Sequence, residues 1–282
     1  MEKRPSEWQQ FWRKLAKRKI SLVGLGIIIF YVFIALSAPW IAPHDPYDIQ
    51  LDKSLTSPGS EFLFGTDDKG RDILSRVLYG SQLSLLVGVV AVTIGACIGV
   101  PVGLVAGYYG GWWDTVLMRI IDVLLAFPGM LLALAIVSAL GPSLFNVMLA
   151  VGIFSIPTFA RLVRGSTLAV KKLEYVDAIR ALGAGDGRIL FIHILPNVLS
   201  PIIVQGTLRL ATAILTAAGL SFLGMGAQPP SAEWGAMLSS GRDFIFSAPY
   251  VAIFPGLAIA FLVIGFNLFG DGLRDALDQR MG

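Results

Sequence analysis

The chain has 282 residues, of which 55% are hydrophobic and 15% are charged, with a formal net charge of +3 and a mean hydropathy of +0.72. A soluble domain carries about 25% charged residues, so the composition excludes an ordinary soluble protein. The single Cys97 excludes an internal disulfide. The sequence has no zinc-ligand spacing, P-loop or glycine-rich phosphate motif, so we expect this chain to bind no metal and no nucleotide cofactor.

Six apolar segments are long enough to cross a bilayer, which takes about 20 residues of helix. They are residues 20–41, 83–109, 116–140, 144–160, 198–227 and 250–270. The first is longer than the apolar core of a signal peptide, about 7–15 residues, so we interpret it as a retained first transmembrane helix. The sequence therefore predicts an all-α transmembrane fold with six helices.

The distribution of basic residues predicts the orientation of the chain. Residues 1–19 contain seven Lys and Arg residues, which favour the cytoplasmic side. Alternation then places loop 42–82 outside, loop 161–197 inside and the tail 271–282 inside. Loop 161–197 has six basic against three acidic residues, whereas loop 42–82 has four against seven. Both counts agree with this orientation, so we predict that both termini are cytoplasmic.

The end of the first outer loop reads FGTDDKGRDILSRVLYG, residues 64–80. Apolar residues recur there at helical spacing, which predicts a short helix resting on the outer membrane face. Asp67 or Asp68 is a candidate N-cap for this helix. Asp72 and Arg76 lie four residues apart, which favours an ion pair on its surface.

Glycines recur at every fourth position of the second apolar segment, at Gly95, Gly99, Gly103 and Gly107. Such spacing lets two helix backbones approach closely. The sequence leaves open whether the partner helix belongs to this chain or to another subunit.

Three charged residues lie within the predicted spans. Arg119 and Asp122 are three residues apart on one predicted helix, which favours an ion pair between them. Arg209 has no acidic neighbour at helical spacing, so we expect it to face a wet cavity or a polar partner. Because arginine binds carboxylates, Arg209 is a candidate residue of a substrate path, with packing against another subunit as the alternative.

The inner loop contains the stretch EYVDAIRALGAGDGRILFIHILPN, residues 174–197. Its pattern predicts a short helix, a glycine corner and a second short helix. We expect Gly183 to end the first helix, Asp186 to cap the second and Pro196 to end the second. The first helix has one apolar face, made by Tyr175, Ala178, Ile179 and Leu182.

Two interpretations of this loop compete. An amphipathic hairpin that lies on lipid would carry Lys and Arg on its polar face. The polar face of the first predicted helix instead carries Glu174 and Asp177. A shaped protrusion of mixed charge suits a groove in another protein better, so we favour a protein-docking element.

The spacing of this loop resembles the EAA loop of permease subunits in type I ATP-binding-cassette importers. That motif has Glu-Ala-Ala, a Gly shortly after it and a Leu-Pro pair further on. The matching positions, with Asp for Glu and Ile for the second Ala, are Asp177, Ala178, Ile179, Gly183, Leu195 and Pro196. The resemblance implies that the first helix is a coupling helix, which docks in a cleft of a cytoplasmic ATPase. The implied docking residues are Glu174, Tyr175, Asp177, Ala178, Ile179, Arg180, Gly183 and Pro196.

Other stretches resemble the C-type permease subunit of dipeptide and oligopeptide importers. They are residues 64–80, GAQPPSAEWGAML at 226–238 and FNLFGDGLRDALD at 266–278. Within that family, the stretches GGWWD, LAFPG and SIPTFARLVRG are most similar to glutathione-type members. In the second outer loop, we expect Trp234 to anchor the chain at the membrane interface.

This resemblance implies a core transmembrane domain of five helices at 83–270, a bacterial inner-membrane location and a set of partners. The partners are a homologous permease that forms a heterodimer with this chain, one or two ATPases that bind ATP and Mg, a periplasmic or lipid-anchored substrate-binding protein, and membrane lipid. No nucleic acid is expected. The chain would catalyse no reaction and would help to import dipeptides, short peptides or glutathione; nickel and other small solutes stay open.

Two other function classes fit the sequence less well. An ion-coupled secondary transporter usually has inverted repeats and interrupted helices with buried charges, whereas this sequence shows no convincing repeat. A membrane enzyme needs an acid–base or nucleophile constellation, which the sequence lacks. The rigid docking element at 174–197 favours the importer subunit over both.

Overall fold

The computed structural model describes residues 12–13, 15–16 and 18–277. Lys3, Arg4, Lys14 and Lys17 of the basic leader, and the tail from residue 278 onwards, lie outside this part of the chain. The described residues form helices and turns, with one isolated bridge between Thr66 and Asp72 and no strand. This confirms the predicted all-α fold.

The helices follow one another through the chain with short connections, apart from the longer first outer loop. They are α1 (Lys19–Ile41), α2 (Ile73–Tyr109), α3 (Gly111–Leu125), α4 (Gly129–Leu140), α5 (Leu144–Lys171), α6 (Glu174–Ala181), α7 (Asp186–Phe222), α8 (Trp234–Gly241) and α9 (Tyr250–Leu277). Helices α1, α2, α5, α7 and α9 are each long and apolar enough to span a membrane.

The predicted third span, residues 116–140, is not one straight helix. It is divided between α3 and α4, which meet at an angle of 85°. Pro128 lies at the break and has an extended backbone, with φ −55° and ψ 127°. Proline cannot donate a backbone hydrogen bond and disfavours helical geometry in the residue before it, so α3 ends at Leu125 and α4 begins after the proline.

The bent pair nevertheless crosses the bundle. Helices α2 and α5 run in the same direction, because a Cβ on Gly95 would meet Ser155 and one on Gly107 would meet Thr167. The chain between these helices must therefore return to the opposite end, which α3 and α4 do together. Arg18 Nη1 lies 2.5 Å from Asp275 Oδ2, so α1 starts and α9 ends at the same end of the bundle. These contacts agree with the predicted six crossings.

The glycine repeat of α2 packs against α5 of this chain. The partner helix that the sequence left open therefore belongs to this chain and not to another subunit. A Cβ on Gly99 would lie 2.6 Å from the carbonyl oxygen of Ile156, and one on Gly103 would lie 2.5 Å from that of Ala160. No side chain fits at such distances. The repeat therefore holds α2 and α5 in backbone-to-backbone contact.

The predicted short helix on the outer membrane face is wrong, because that segment is the beginning of α2. The helix starts at Ile73, ahead of the predicted span at 83, and continues without a break to Tyr109. Its N-cap is Asp72, whose carboxylate accepts a hydrogen bond of 2.9 Å from Ser75 N, rather than Asp67 or Asp68. The amphipathic pattern reflects burial against the outer loops, not contact with lipid.

The predicted ion pair between Asp72 and Arg76 is also wrong. The Asp72 carboxylate is directed at the helix end that it caps. Arg76 is buried and donates to the carbonyl oxygens of Pro46 at 2.8 Å and Ser231 at 3.0 Å. Arg76 thus joins the two outer loops, which are far apart in sequence.

Trp234 lies in the core and is not an interface anchor. Its side chain is fully buried, and its Nε1 donates a hydrogen bond of 2.9 Å to the carbonyl oxygen of Val77. A Cβ on Gly80 would lie 2.5 Å from the indole ring, so Gly80 leaves the space that the ring occupies. The start of α8 is thereby fixed against the outer end of α2.

Candidate docking site

The predicted coupling element forms an elbow, which we define as residues 174–197, at the end of the bundle that the sequence predicts to be cytoplasmic. Its first arm, α6, ends where the sequence predicts, since Gly183 has a φ of +84°. Ala184 N donates to Ile179 O at 3.3 Å and Gly183 N donates to Arg180 O at 3.0 Å. These two bonds are the Schellman pattern, in which a glycine in the left-handed region closes the helix end.

The second arm of the elbow differs from its prediction. Asp186 does not cap it, since no side-chain capping bond is present at this helix start. Pro196 does not end it either, because the helix continues to Phe222. Residues Ile189–Ile194 form a π-helical stretch just before the proline, and Leu195 N donates to Leu190 O. The wider π turn accommodates Pro196, which has no backbone N–H to donate.

The continuity of the second arm has a mechanical consequence. Because α7 runs from the elbow into the membrane-spanning segment, a displacement of the elbow moves the same helix that crosses the bundle. The predicted loop 161–197 is therefore largely helical, and α5 also extends into it as far as Lys171.

The first arm contacts the bundle mainly through Val176, a side chain outside the predicted apolar face. Val176 is fully buried and Ile179 is partly buried against the same cluster, whereas Tyr175, Ala178 and Leu182 are exposed. Leu182 has 87% of its surface accessible. The apolar stripe of α6 is thus directed mostly away from the bundle, which leaves it open to a partner.

A compact apolar cluster supports the elbow from beneath. Val176 packs in this cluster with side chains of α2, α5 and the second arm, which are Leu104, Val163, Ile189, Leu190, Ile194 and Val198. The elbow is therefore attached to three helices of the bundle by buried contacts.

Tyr108, near the C-terminal end of α2, is a functional candidate that sequence reasoning missed. Its buried hydroxyl donates to Asp186 Oδ1 at 2.6 Å and accepts from Arg180 Nη2 at 3.5 Å. Lys171 Nζ donates to its backbone carbonyl oxygen. The hydrogen bond with Tyr108 raises the pKa of Arg180. No local pattern signals these contacts, because Tyr108 and Asp186 are 78 positions apart.

A second polar contact joins the two arms directly. The Tyr175 hydroxyl donates to the carbonyl oxygen of His193 at 3.2 Å. Asn197 Nδ2 donates to the same carbonyl oxygen at 2.7 Å and to the Tyr175 hydroxyl at 3.1 Å. These bonds fix the angle between α6 and α7.

The outward face of α6 carries mixed charge. Glu174, Asp177 and Arg180 are exposed, and Arg180 Nη1 lies 3.3 Å from Asp177 Oδ1. Exposed pairs of this kind add little to stability. Because they lie beside the exposed apolar stripe, the elbow has a surface that carries both charged and apolar side chains.

Comparison with known proteins identifies the family. The model of binding-protein-dependent transport system inner membrane components matches residues 99–282, and that of the N-terminal transmembrane domain of oligopeptide transport permease C matches residues 6–58. The chain belongs to this permease family. The first match includes the whole elbow.

Two curated relatives are similar to this permease over nearly their whole length. The dipeptide transport system permease protein DppC of Alkalihalophilus pseudofirmus is 50% identical over 276 residues, which are 98% of this chain and 91% of the relative. The glutathione transport system permease protein GsiD of Escherichia coli O6:K15:H31 is 52% identical over 275 residues, which are 97% and 91%.

A solved structure shows the same fold. The permease resembles a chain of the inward-facing MetNI methionine ABC transporter with a TM-score of 0.59 and 20% identity, over 73% of this chain and 98% of the other. This likeness confirms the predicted importer-permease fold.

Arg209 lies in the middle of α7, apart from the elbow. Its Nη2 donates to Thr158 Oγ1 of α5 at 2.7 Å, and its guanidinium lies 4.9 Å from the centre of the Phe154 ring. Within residues 18–277, no carboxylate oxygen lies within ion-pair distance of it. The polar contact that the sequence predicts for Arg209 is therefore present within this permease.

The predicted pair between Arg119 and Asp122 is wrong. Asp122 Oδ1 accepts from Arg161 Nη2 of α5 at 2.6 Å, and Arg119 lies exposed on α3. The Asp122 carboxylate is thus paired with Arg161 on α5 and not with Arg119 on its own helix.

Proposed function

We propose that this permease is a membrane subunit of an ATP-driven importer and that its elbow docks into a cytoplasmic ATPase. The observation that carries the proposal is the orientation of α6. Its buried contact is made by Val176, whereas Tyr175, Ala178 and Leu182 are exposed. A helix that is anchored on one side and apolar on the other suits a groove in a partner protein.

The expected partners and solute follow from the family and its relatives. We propose a homologous permease as the second half of the translocation path, one or two ATPases that bind ATP and Mg, and a periplasmic or lipid-anchored substrate-binding protein. The names of the two relatives support dipeptides or glutathione as the solute. The chain itself supplies no catalytic group and sits in the bacterial inner membrane with the elbow and both termini on the cytoplasmic side.

The mechanism is mechanical. Closure of the ATPases on ATP displaces the docked elbow, and α7 passes this displacement to the membrane-spanning region because the two are one helix. The contacts of Val176 and Tyr108 make α2 and α5 follow. The translocation path then opens to the outer side of the membrane, and the solute enters it from the binding protein.

Site-specific cross-linking tests the docking. In a Cys97→Ser background and in membranes that contain the whole importer, Ala178→Cys should cross-link to a subunit that hydrolyses ATP. Phe246→Cys is the control, because Phe246 is fully exposed but lies at the opposite end of the bundle. An importer that takes up solute but gives no adduct at Ala178→Cys would contradict the proposal, and uptake by this chain reconstituted alone would support an ion-coupled transporter instead.

A further inference from the structure

A cleft of about 410 Å³ opens between α5, α7 and α9 towards the inner end of the bundle. Its volume lies within the range of about 300–1,000 Å³ typical of ligand pockets. Ser200, Gln205 and Arg274 supply its polar lining, and the rest is aliphatic or proline, including Leu162 of α5. No acidic side chain of the described residues lines it. The cleft is therefore shaped for a small solute and has a positive lining.

Arg209 lies one helical turn further out along the same faces. It follows Gln205 by four residues on α7, and its partner Thr158 precedes Leu162 by four residues on α5. Residues four apart on a helix lie one above the other. The contact between Arg209 and Thr158 thus borders the outer end of the cleft.

The charge of Arg209 is incompletely satisfied. Its hydrogen bonds to Thr158 and Phe154 both come from Nη2, and its Nε is buried without a hydrogen-bond partner. A cation at this depth of a span is costly unless it meets a counter-ion or water. The described residues supply no counter-ion, so the positive charge of Arg209 is left to pair with an external anion.

The polar surface continues outward along α7. Gln205, Arg209, Thr212 and Thr216 follow one another at helical spacing on one face of the helix. Thr212 is exposed although it lies in the middle of the span. A polar stripe at this depth is expected to face water or protein rather than lipid. The cleft and the stripe therefore form one polar path.

We propose that this cleft is a subsite for an anionic group of the transported solute, a carboxylate, with Arg209 as the residue that binds it. The inference rests on the proposed importer function. The guanidinium can form paired N–H bonds with a carboxylate, and Arg274 adds a second positive charge at the inner mouth of the cleft. The neighbouring Asp275 is already paired with Arg18.

The charge selectivity of a thiol reaction tests this subsite. In inside-out vesicles that contain the whole importer with Cys97→Ser, Gln205→Cys is labelled with anionic methanethiosulfonate ethylsulfonate or with cationic methanethiosulfonate ethyltrimethylammonium. We expect both to react, with the anionic reagent favoured. Adding Arg209→Gln should lower the ratio of anionic to cationic rates about tenfold, whereas Arg209→Lys should preserve it.

The control separates this inference from the proposed function. Trp112→Cys, exposed at the start of α3 and outside the elbow, should react from the inner side with a ratio that does not respond to Arg209→Gln; no reaction there would contradict the proposed orientation. If Trp112→Cys reacts but Gln205→Cys does not, α7 faces lipid or a subunit at this point and the subsite is overturned. A ratio at Gln205→Cys that Arg209→Gln leaves unchanged would overturn it as well.

Discussion

Tyr108 shows how one side chain can connect the docking surface to the membrane-spanning bundle. Its hydroxyl contacts both arms of the elbow, through Arg180 and Asp186, and its backbone contacts Lys171 at the end of α5. Since Tyr108 is buried near the end of α2, these contacts join the elbow to a second long helix besides α7. The polar contacts of Tyr108 therefore add to the apolar contacts that attach the elbow to α2 and α5.

Removing the Tyr108 hydroxyl should weaken the connection between the elbow and α2. A hydrogen bond to a charged group contributes about 1.5–3 kcal/mol, which is at least about tenfold in a conformational equilibrium. We expect Tyr108→Phe to assemble normally but to lower the solute imported per ATP hydrolysed by about tenfold in proteoliposomes. Tyr109→Phe is a matched control, because Tyr109 is exposed. Equal coupling ratios in the two variants would show that the Tyr108 hydroxyl does not transmit motion.

At the scale of the elements, the α2–α5 contact depends on the absence of side chains. At Gly103 a Cβ would lie 2.5 Å from the carbonyl oxygen of Ala160, whereas at Gly165 of α5 nothing lies within 4 Å. The two glycines belong to the same pair of helices but differ in this one respect. They therefore offer a direct comparison.

Gly103→Ala should destabilise the protein, and Gly165→Ala should not. Overpacking a close contact costs about 1–3 kcal/mol, while replacing an exposed helical glycine by alanine gains up to about 1 kcal/mol. Denaturant-induced unfolding in detergent micelles measures both effects. Similar unfolding free energies for the two variants would mean that the close contact between α2 and α5 does not contribute to stability.

The sequence predicted the elements well where the signal is a long apolar run or a glycine with a required geometry. The glycine corner at Gly183 and the long apolar helices are of this kind. The bend at Pro128 was missed because hydropathy continues through the break, although the proline is visible. The side of α6 that contacts the bundle could not be predicted, because periodicity finds an apolar stripe but the residues of α2, α5 and α7 decide which side of the helix they cover.

Contacts between distant parts of the chain lie beyond any local pattern. Arg76 reaches Ser231, 155 positions away, and Tyr108 reaches Asp186 across 78. Helical spacing instead suggested partners on the same helix for Arg76 and Asp122, and the structure gives both a partner from another element. Helical spacing identifies the nearest possible partner along the chain, whereas packing can bring a partner from another element closer still.

For the whole molecule, the parallel direction of α2 and α5 requires that the bent pair cross the bundle. This gives a topology test that does not depend on the transported solute. In a Cys97→Ser background, a membrane-impermeant thiol reagent should label Pro142→Cys, between α4 and α5, only in intact spheroplasts. Trp112→Cys, at the start of α3, should be labelled only in inverted vesicles. Labelling of both from one side would mean that the pair re-enters the same face.

The unbroken course of α7 links two surfaces that face different compartments. Its 37 residues extend over about 55 Å at 1.5 Å per residue, more than the thickness of a bilayer core. At its outer part, a Cβ on Gly235 of α8 would lie 2.5 Å from the carbonyl oxygen of Ala218, so the second outer loop rests directly on this helix. We therefore expect a protein that presses on that loop to shift the elbow as well, so that an event at one membrane face would be felt by the ATPase proposed at the other.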